Sequence, residues 1–212
     1  MSKGTMGVLG CLGLLVVALL IGGLMFWSTN NQLVTLEQAV EAQWAQVENV
    51  YQRRADLIPN LVATVQGAAT FEKSTLEAVT AARASVGRAQ IDAGKITDDP
   101  AAFARFEQAQ GALSSALSRL MVVVERYPEL KANQNFRDLQ VQLEGTENRV
   151  TVERMRFNEV AQAYNTKLKM FPTSFFARML GFKEKPYFKA QAGADQAPKV
   201  QFNFGASPSP AR

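Results

Sequence analysis

Apolar residues fall along this chain in three successive patterns. Residues 4–32 carry no charged side chain, and 6–27 are almost purely apolar. From residue 33 to about 168, apolar positions recur every three or four residues, the period of a helix with one buried face. From 170 to 190, apolar and aromatic groups are interspersed with cations, and 191–212 is rich in Ala, Gly, Gln, Pro and Ser.

At a helical rise of about 1.5 Å per residue, the 22 residues from 6 to 27 reach roughly 33 Å, enough to cross a bilayer core. Met6, Leu14 and Leu20 lie within this run, and Phe26 and Trp27 stand where an interfacial aromatic belt is expected. A cleaved signal peptide has a shorter apolar region followed by a small-x-small site, which Phe26-Trp27-Ser28 does not supply. Residues 1–30 are therefore expected to be a transmembrane anchor. Lys3 is the lone basic residue near either end, and by the positive-inside rule it holds the N-terminus in the cytoplasm and the body outside. Ala18 and Gly22 form a small-xxx-small pair through which two copies could pack as a homo-oligomer, although such pairs are common without that role.

Residues 31–170 read as four helical segments. The first, from 32 to about 54, carries Leu33, Leu36, Val40, Trp44, Val47 and Tyr51 on one stripe. The second, from about 57 to 90, carries Leu61, Val65, Ala68, Leu76, Val79 and Val86. Between them stands RRADLIPNLV (53–62), read as a corner: Pro59 is tolerated in a first turn but not in a helix interior, and Asp56, with Asn60, is placed to cap. DAGKITDD (92–99) is a turn, with Asp98 or Asp99 capping a helix that begins at Pro100. The third segment shows Phe103, Phe106, Leu113, Leu117, Leu120, Val124 and Tyr127, interrupted by Gln110, and breaks at Tyr127-Pro128. The fourth, from about 133 to 169, carries Phe136, Leu139, Leu143, Val150, Phe157, Val160, Tyr164 and Leu168. No stretch here alternates with period two. The expected fold is all-α: a transmembrane helix, then an elongated helical bundle, a docking segment (171–190) and a disordered tail (191–212).

Composition then removes chemistries. The chain has no histidine and one cysteine, Cys11, inside the apolar run. Ser-His-Asp and Cys-His arrangements, His-ligated zinc and the Glu-x-x-His di-iron site are excluded, as is an intramolecular disulfide. Residues 28–170 carry a net charge of −1 and the excess of cations lies after 171, so the body offers no basic face for nucleic acid. No cofactor or metal is expected. Polar residues adjoin the stripes at Asp56, Asn60, Glu72, Arg83, Glu125, Glu147, Arg154 and Asn165. Surface ion pairing and capping is the expectation for them, and a buried ionic network that sets helix register is the alternative.

In the docking segment, Phe175, Phe176, Phe182, Tyr187 and Phe188 alternate with Arg178 and Lys183. That composition suits either a seat on the bundle or a partner, or contact with a membrane interface. The strip Val200 to Phe204 has a short alternation that could add to a sheet edge, with an unstructured tail the expected state.

RRADLIPNLV (53–62), FEKSTLEAVTAAR (71–83), ERYPELKAN (125–133) and RMRFNEVAQAYNTKLKMFP (154–172) follow one another in the order and spacing of the LemA family of bacterial membrane proteins, which the chain resembles over about residues 30–190. Asn30 and Phe157 depart from tyrosines usual in that family. The resemblance implies a single-pass inner-membrane anchor followed by an antiparallel four-helix bundle. It supplies no reaction and no catalytic residue, and hints at partners in membrane proteolysis or quality control. The functional expectation is a non-enzymatic, membrane-tethered scaffold or adaptor with the lipid bilayer and other membrane or envelope proteins as partners. The alternatives are a small-ligand sensor, or an enzyme using carboxylates such as Glu72, Glu125 and Glu147.

Overall fold

The computed structural model describes the backbone of residues 3–67, 72–91 and 96–189, and the side chains of 12–67, 72–89 and 96–189. It is all-helical, with no strand among the described residues. α1 runs Lys3–Gln66, α2 Lys73–Ile91, α3 Pro100–Val124, α4 Pro128–Ala132, α5 Gln134–Lys169 and α6 Thr173–Leu180, with a single 3-10 turn at Ile96–Asp98 before α3. Residues 190–212, including the strip 200–204, and the side chain of Met6 lie outside the described residues.

Helix ends follow local chemistry. Asp99 caps α3 by accepting from the Ala101 amide at 2.8 Å, with Pro100 as first residue. Asn133 caps α5 through the amides of Asn135 and Phe136. Gly181 closes α6 at φ +81°, a left-handed conformation that favours glycine.

The expected corner at Asp56, Pro59 and Asn60 is not there. α1 is 64 residues long and passes straight through Pro59. Proline at 59 removes the amide that would bond the carbonyl of Ala55, and the structure supplies a replacement: Arg83 of α2 donates its Nε to that oxygen at 3.0 Å. Asp56 accepts from the Gln52 side chain one turn back, and the carbonyl of Asn60 from Thr64, so neither caps a helix start. Packing also holds the helix together here. Ile58, Leu61 and Val65 are buried and continue the stripe of Leu33, Val40, Trp44, Val47 and Tyr51 in phase.

α1 packs chiefly on α5, and α2 on α3. Two apolar cores result. One gathers Leu33, Trp44 and Tyr51 with Phe103, Phe106, Phe157 and Tyr164. The other gathers Ile58, Leu61 and Val65 with Leu76, Val79, Leu113, Leu120 and Phe136. No break marks residue 30. Leu14 and Leu20 are exposed, and α1 is the one described helix long and apolar enough to cross a membrane.

Candidate functional site

The two cores are separated by a polar layer. On α1 the stripe reads Tyr51, Arg54, Ile58; on α3 Phe106, Gln110, Leu113; on α5 the buried row is Leu143, Thr146, Val150, with Glu147 exposed beside it. At this level a core position on α1 and on α3 is occupied by a polar residue, and Glu147 reaches Arg54 from the exposed edge of α5. Arg54, only 1% exposed, donates to Glu147 Oε2 at 2.9 Å, to Ser114 Oγ at 3.0 Å and, through its other terminal nitrogen, to Gln110 Oε1. Its guanidinium also lies over the Tyr51 ring at 5.1 Å. Burial pushes the Tyr51 hydroxyl's pKa up, against the pull of Arg154 and Arg54. A cavity of about 240 Å³ opens beside this layer.

A second arrangement is formed by the segment after α6, residues 181–189, which crosses the body as a strap. Asn165 donates to the carbonyl of Lys185 at 2.8 Å and accepts its amide at 2.9 Å. Asn158 repeats this clasp on Phe188 at 3.0 and 2.9 Å. Seven residues of helix rise about 10.5 Å and three of extended chain span about 10 Å, so the clasps coincide in register. Phe188 then inserts among Trp44, Phe103 and Phe157, with centroids 6.1, 4.7 and 5.4 Å away, and Arg154 covers its ring at 4.6 Å. Arg154 also binds Glu107 at 3.0 Å and the Lys189 carbonyl at 2.9 Å.

Lys185 is buried and pairs with Glu37 at 2.7 Å and with Asp98. Desolvation works against its charge, and the hydrogen bonds to Asp98 and Glu37 outweigh it, so its pKa stands above the ordinary 10.5. The Tyr164 hydroxyl beneath it is buried, has no protein partner, and is pushed upward by burial and by Glu37 and Asp98. One strap residue thus ties α1, the 3-10 turn and α5 together.

The sequence profile of the LemA family matches residues 43–202. The chain belongs to the LemA family. Magnetosome protein MamQ of Magnetospirillum gryphiswaldense is 29% identical over 180 residues, covering 78% of this chain and 66% of that protein. Magnetosome protein MamQ 2 of Paramagnetospirillum magneticum is 28% identical over 210 residues, 92% of this chain and 76% of the relative. Protein LemA of Metamycoplasma hominis is 21% identical over 160 residues, 76% and 68%. Against the first of these the LemA-family chain spans just under two thirds of the relative's length.

The LemA motifs turn out to be partners in space. Arg83 of the second motif reaches Ala55 of the first, and Arg126 of the third binds Glu72 of the second at 2.9 Å. The carboxylates considered for catalysis do not gather: Glu72 pairs with Arg126, Glu125 with Lys131 and Glu147 with Arg54. Among the described residues no group of three or more His, Cys, Asp or Glu side chains could hold a metal ion. Surface pairing describes Glu72 and Glu125, whereas Glu147, Arg154 and Asn165 belong to the layer and the strap. The docking segment divides. Phe188 is buried and Phe182 packs against the core, Phe176 meets Phe26, and Phe175, Arg178, Lys183 and Tyr187 stay exposed.

Sequence reasoning missed Arg54 and Lys185, the two buried cations among the described residues. For Arg54 the signal was its phase: splitting the helix at 54 hid a stripe that runs unbroken from Leu33 to Val65. For the strap it was the repeat Phe157-Asn158 and Tyr164-Asn165, an aromatic-asparagine pair recurring after seven residues.

Proposed function

We propose that this LemA-family chain is a single-pass protein of the bacterial inner membrane whose body, an elongated antiparallel four-helix bundle, serves as a non-enzymatic scaffold for other membrane or envelope proteins. The bundle reading is supported by α1 side chains meeting α5 in reverse order, Gln43 with Glu153 and Arg54 with Glu147, while α2 packs on α3. The observation that carries the functional reading is the edge-on contact of Phe26 with Phe176, 5.8 Å between centroids. It fastens α6 to the last apolar turn of α1.

If residues 4–26 span the hydrocarbon, about 35 Å at the helical rise, Phe26 marks its outer boundary. α6 then lies at the lipid–water interface. Its surroundings suit that position: Phe171, Phe175 and Met179 are 89, 67 and 63% exposed, and the cations Arg178 and Lys183 are exposed beside them. Apolar rings dip below the headgroups while cations meet them. The strap holds α6 to the body, so the body stands on the bilayer at a fixed height. A rigid platform at that height is what a scaffold for membrane partners needs, and by the positive-inside rule Lys3 supports a non-cytoplasmic side for it.

The seat is tested by a Phe175→Trp variant in a Trp27→Phe background, reconstituted with brominated lipids. Quenching of the added fluorescence is expected, and emission equal to that in unbrominated lipid would refute the seat. Partners are sought by cross-linking the intact protein in membranes before mild-detergent purification. Side is tested by labelling an Asp195→Cys, Cys11→Ser chain in intact cells, where labelling only after lysis would reverse the orientation.

A further inference from the structure

The strap is aimed along a seam. Its contacts move steadily toward the start of α5, Lys185 at Asn165, Phe188 at Asn158 and Lys189 at Arg154, and the described chain ends there, with Lys189 in the wall of the cavity of about 240 Å³. Because α1 packs on α5 and α2 on α3, α3 and α5 face each other across a seam bridged by side chains, Glu107 to Arg154 at 3.0 Å and Ser114 to Glu147 at 3.5 Å. Seven residues forward on α3 match seven back on α5, so the next level sets Met121 opposite Gln140.

At that level the seam opens into a groove of about 180 Å³, continuous with the cavity through Ser114 and Glu147. Leu117, Met121 and Leu143 form its apolar floor. Val122, one turn beyond Ser118, and Val141, three residues before Glu144, carry apolar surface onto the two rims at 68 and 67% exposure. Glu144 is exposed on the α5 rim, accepts from the Gln140 side chain, and has no ion pair among the described residues.

The chain that follows the strap fits this groove in pattern, length and charge. Residues 190–212 contain three large apolar side chains, Val200, Phe202 and Phe204, spaced two apart. In extended chain they share one face and span about 13 Å, against about 10.5 Å of α5 between Gln140 and Glu147. From Arg154 to Leu143 and Glu144 is about 15–17 Å of helix, and the stretch from Lys189 to Val200 reaches up to about 36 Å, so the distance closes with slack. Lys199, the sole cation between Lys189 and Arg212, arrives at the rim that holds Glu144.

We propose that the groove between α3 and α5 is the seat of the chain's own residues 199–204, with Val200, Phe202 and Phe204 turned into it and Lys199 paired with Glu144. This goes beyond the scaffold reading and stands separately from it. The groove is then a binding surface for an extended Val-x-Phe-x-Phe segment preceded by a cation, and the tail is its resident occupant.

The test uses the full-length chain in detergent, with Cys11→Ser and one new thiol, either Ser118→Cys on the groove rim or Ala112→Cys on another exposed face of α3. Labelling by a maleimide tracks how often the groove is open, so combining Val200→Asp, Phe202→Asp and Phe204→Asp is expected to speed labelling at 118 roughly fivefold or more and to leave 112 within about twofold. Lys199→Glu is expected to speed labelling at 118, and Glu144→Lys to reverse that effect. With Asn203→Cys added to Ser118→Cys, oxidation is expected to give an intramolecular disulfide that runs as monomer on a non-reducing gel. Equal rates at 118 with and without the three aspartates, or a charge reversal that fails to restore protection, would overturn the assignment. Disulfide-linked dimers would overturn it in favour of the tail of a second copy. The substitutions in the tail fall outside both described cores, so the helical circular dichroism of the variants is expected to match the parent.

Discussion

Besides their shared apolar core, α1 and α2 are tied by a hydrogen bond whose strength can be read from a proline. Pro59 leaves the Ala55 carbonyl without its intrahelical donor, and Arg83 Nε takes the vacancy at 3.0 Å. Hydrogen bonds to a charged partner contribute about 1.5–3 kcal/mol when dry, but Arg83 is exposed and water can replace it, so Arg83→Ala should cost about 1 kcal/mol. Pro59→Ala should act in the opposite direction. It restores an amide to the Ala55 carbonyl and removes a residue that costs up to about 3 kcal/mol in a helix interior. Part of that gain is offset by about 0.4–1 kcal/mol of extra chain freedom in the unfolded state. A net stabilisation of about 1–2 kcal/mol is expected.

The two changes should not add. With alanine at 59 the carbonyl is already satisfied, and Arg83→Ala should then cost less than half of what it costs beside proline. Urea unfolding of the four proteins in one detergent, followed by helical circular dichroism, measures the coupling, expected at about 0.5 kcal/mol or more. An equal cost of Arg83→Ala in both backgrounds, or a destabilising Pro59→Ala, would refute the idea that Arg83 stands in for the missing amide.

Leu61→Asp places a carboxylate at a position 1% exposed in the core shared with Leu76, Val79 and Leu113 and should destabilise by more than about 3 kcal/mol, seen as loss of cooperative unfolding. Phe188→Ala removes the ring the strap inserts and should cost about 3–5 kcal/mol; limited proteolysis should show cleavage near 181–189 before the bundle opens. Asn158→Asp keeps the acceptor for the Phe188 amide but loses the donor to its carbonyl, with an expected loss of about 1–3 kcal/mol by the same proteolysis assay. Lys185 has a folded pKa raised above 10.5, so its ion pairs contribute in full below about pH 10.5 and are lost as pH rises through the folded value. Wild-type stability should therefore fall more steeply above that pH than the stability of Lys185→Met.

Helix existence was legible from stripes because burial imposes a 3.6 period on whichever face packs. The boundaries at Asp99-Pro100, Tyr127-Pro128 and Asn133 were legible because each carries its own local chemistry. Pro59 was misread for a tertiary reason. A proline costs what its orphaned carbonyl costs, and that depends on whether a distant side chain, here Arg83, reaches it. The polar layer shows the same limit. Gln110 was visible as an interruption of its stripe, yet only the assembled helices reveal that Arg54 interrupts its own at the same height and that Glu147 reaches it from the exposed edge of α5. Lys185 had no local signal at all. A lysine in an aromatic and basic segment reads as exposed, and its burial depends on Glu37 and Asp98, which lie 148 and 87 residues away in sequence.

The proposed seat of α6 would constrain how the anchor and body move together. The half-buried face of α1 begins inside the apolar run, at Gly22 and Phe26, and continues through Thr29 and Leu33 into the core without a change of phase. A helix with no hinge between bilayer and core carries any tilt or rotation of its anchor directly to Tyr51 and Arg54, about 38–42 Å further along at the helical rise. If α6 sits in the interface as proposed, it opposes that motion where the body would meet lipid. Phe175→Asp combined with Phe171→Asp should therefore leave the bundle's urea midpoint within about 0.5 kcal/mol of wild type, because both rings are exposed, while loosening its orientation relative to the membrane. Spin labels at Gln140, a half-buried α5 position, should show a broader range of distances to the bilayer surface in the double variant. An unchanged distribution would mean that the strap and α1 alone set the height, and that the exposed aromatics of α6 face something other than lipid.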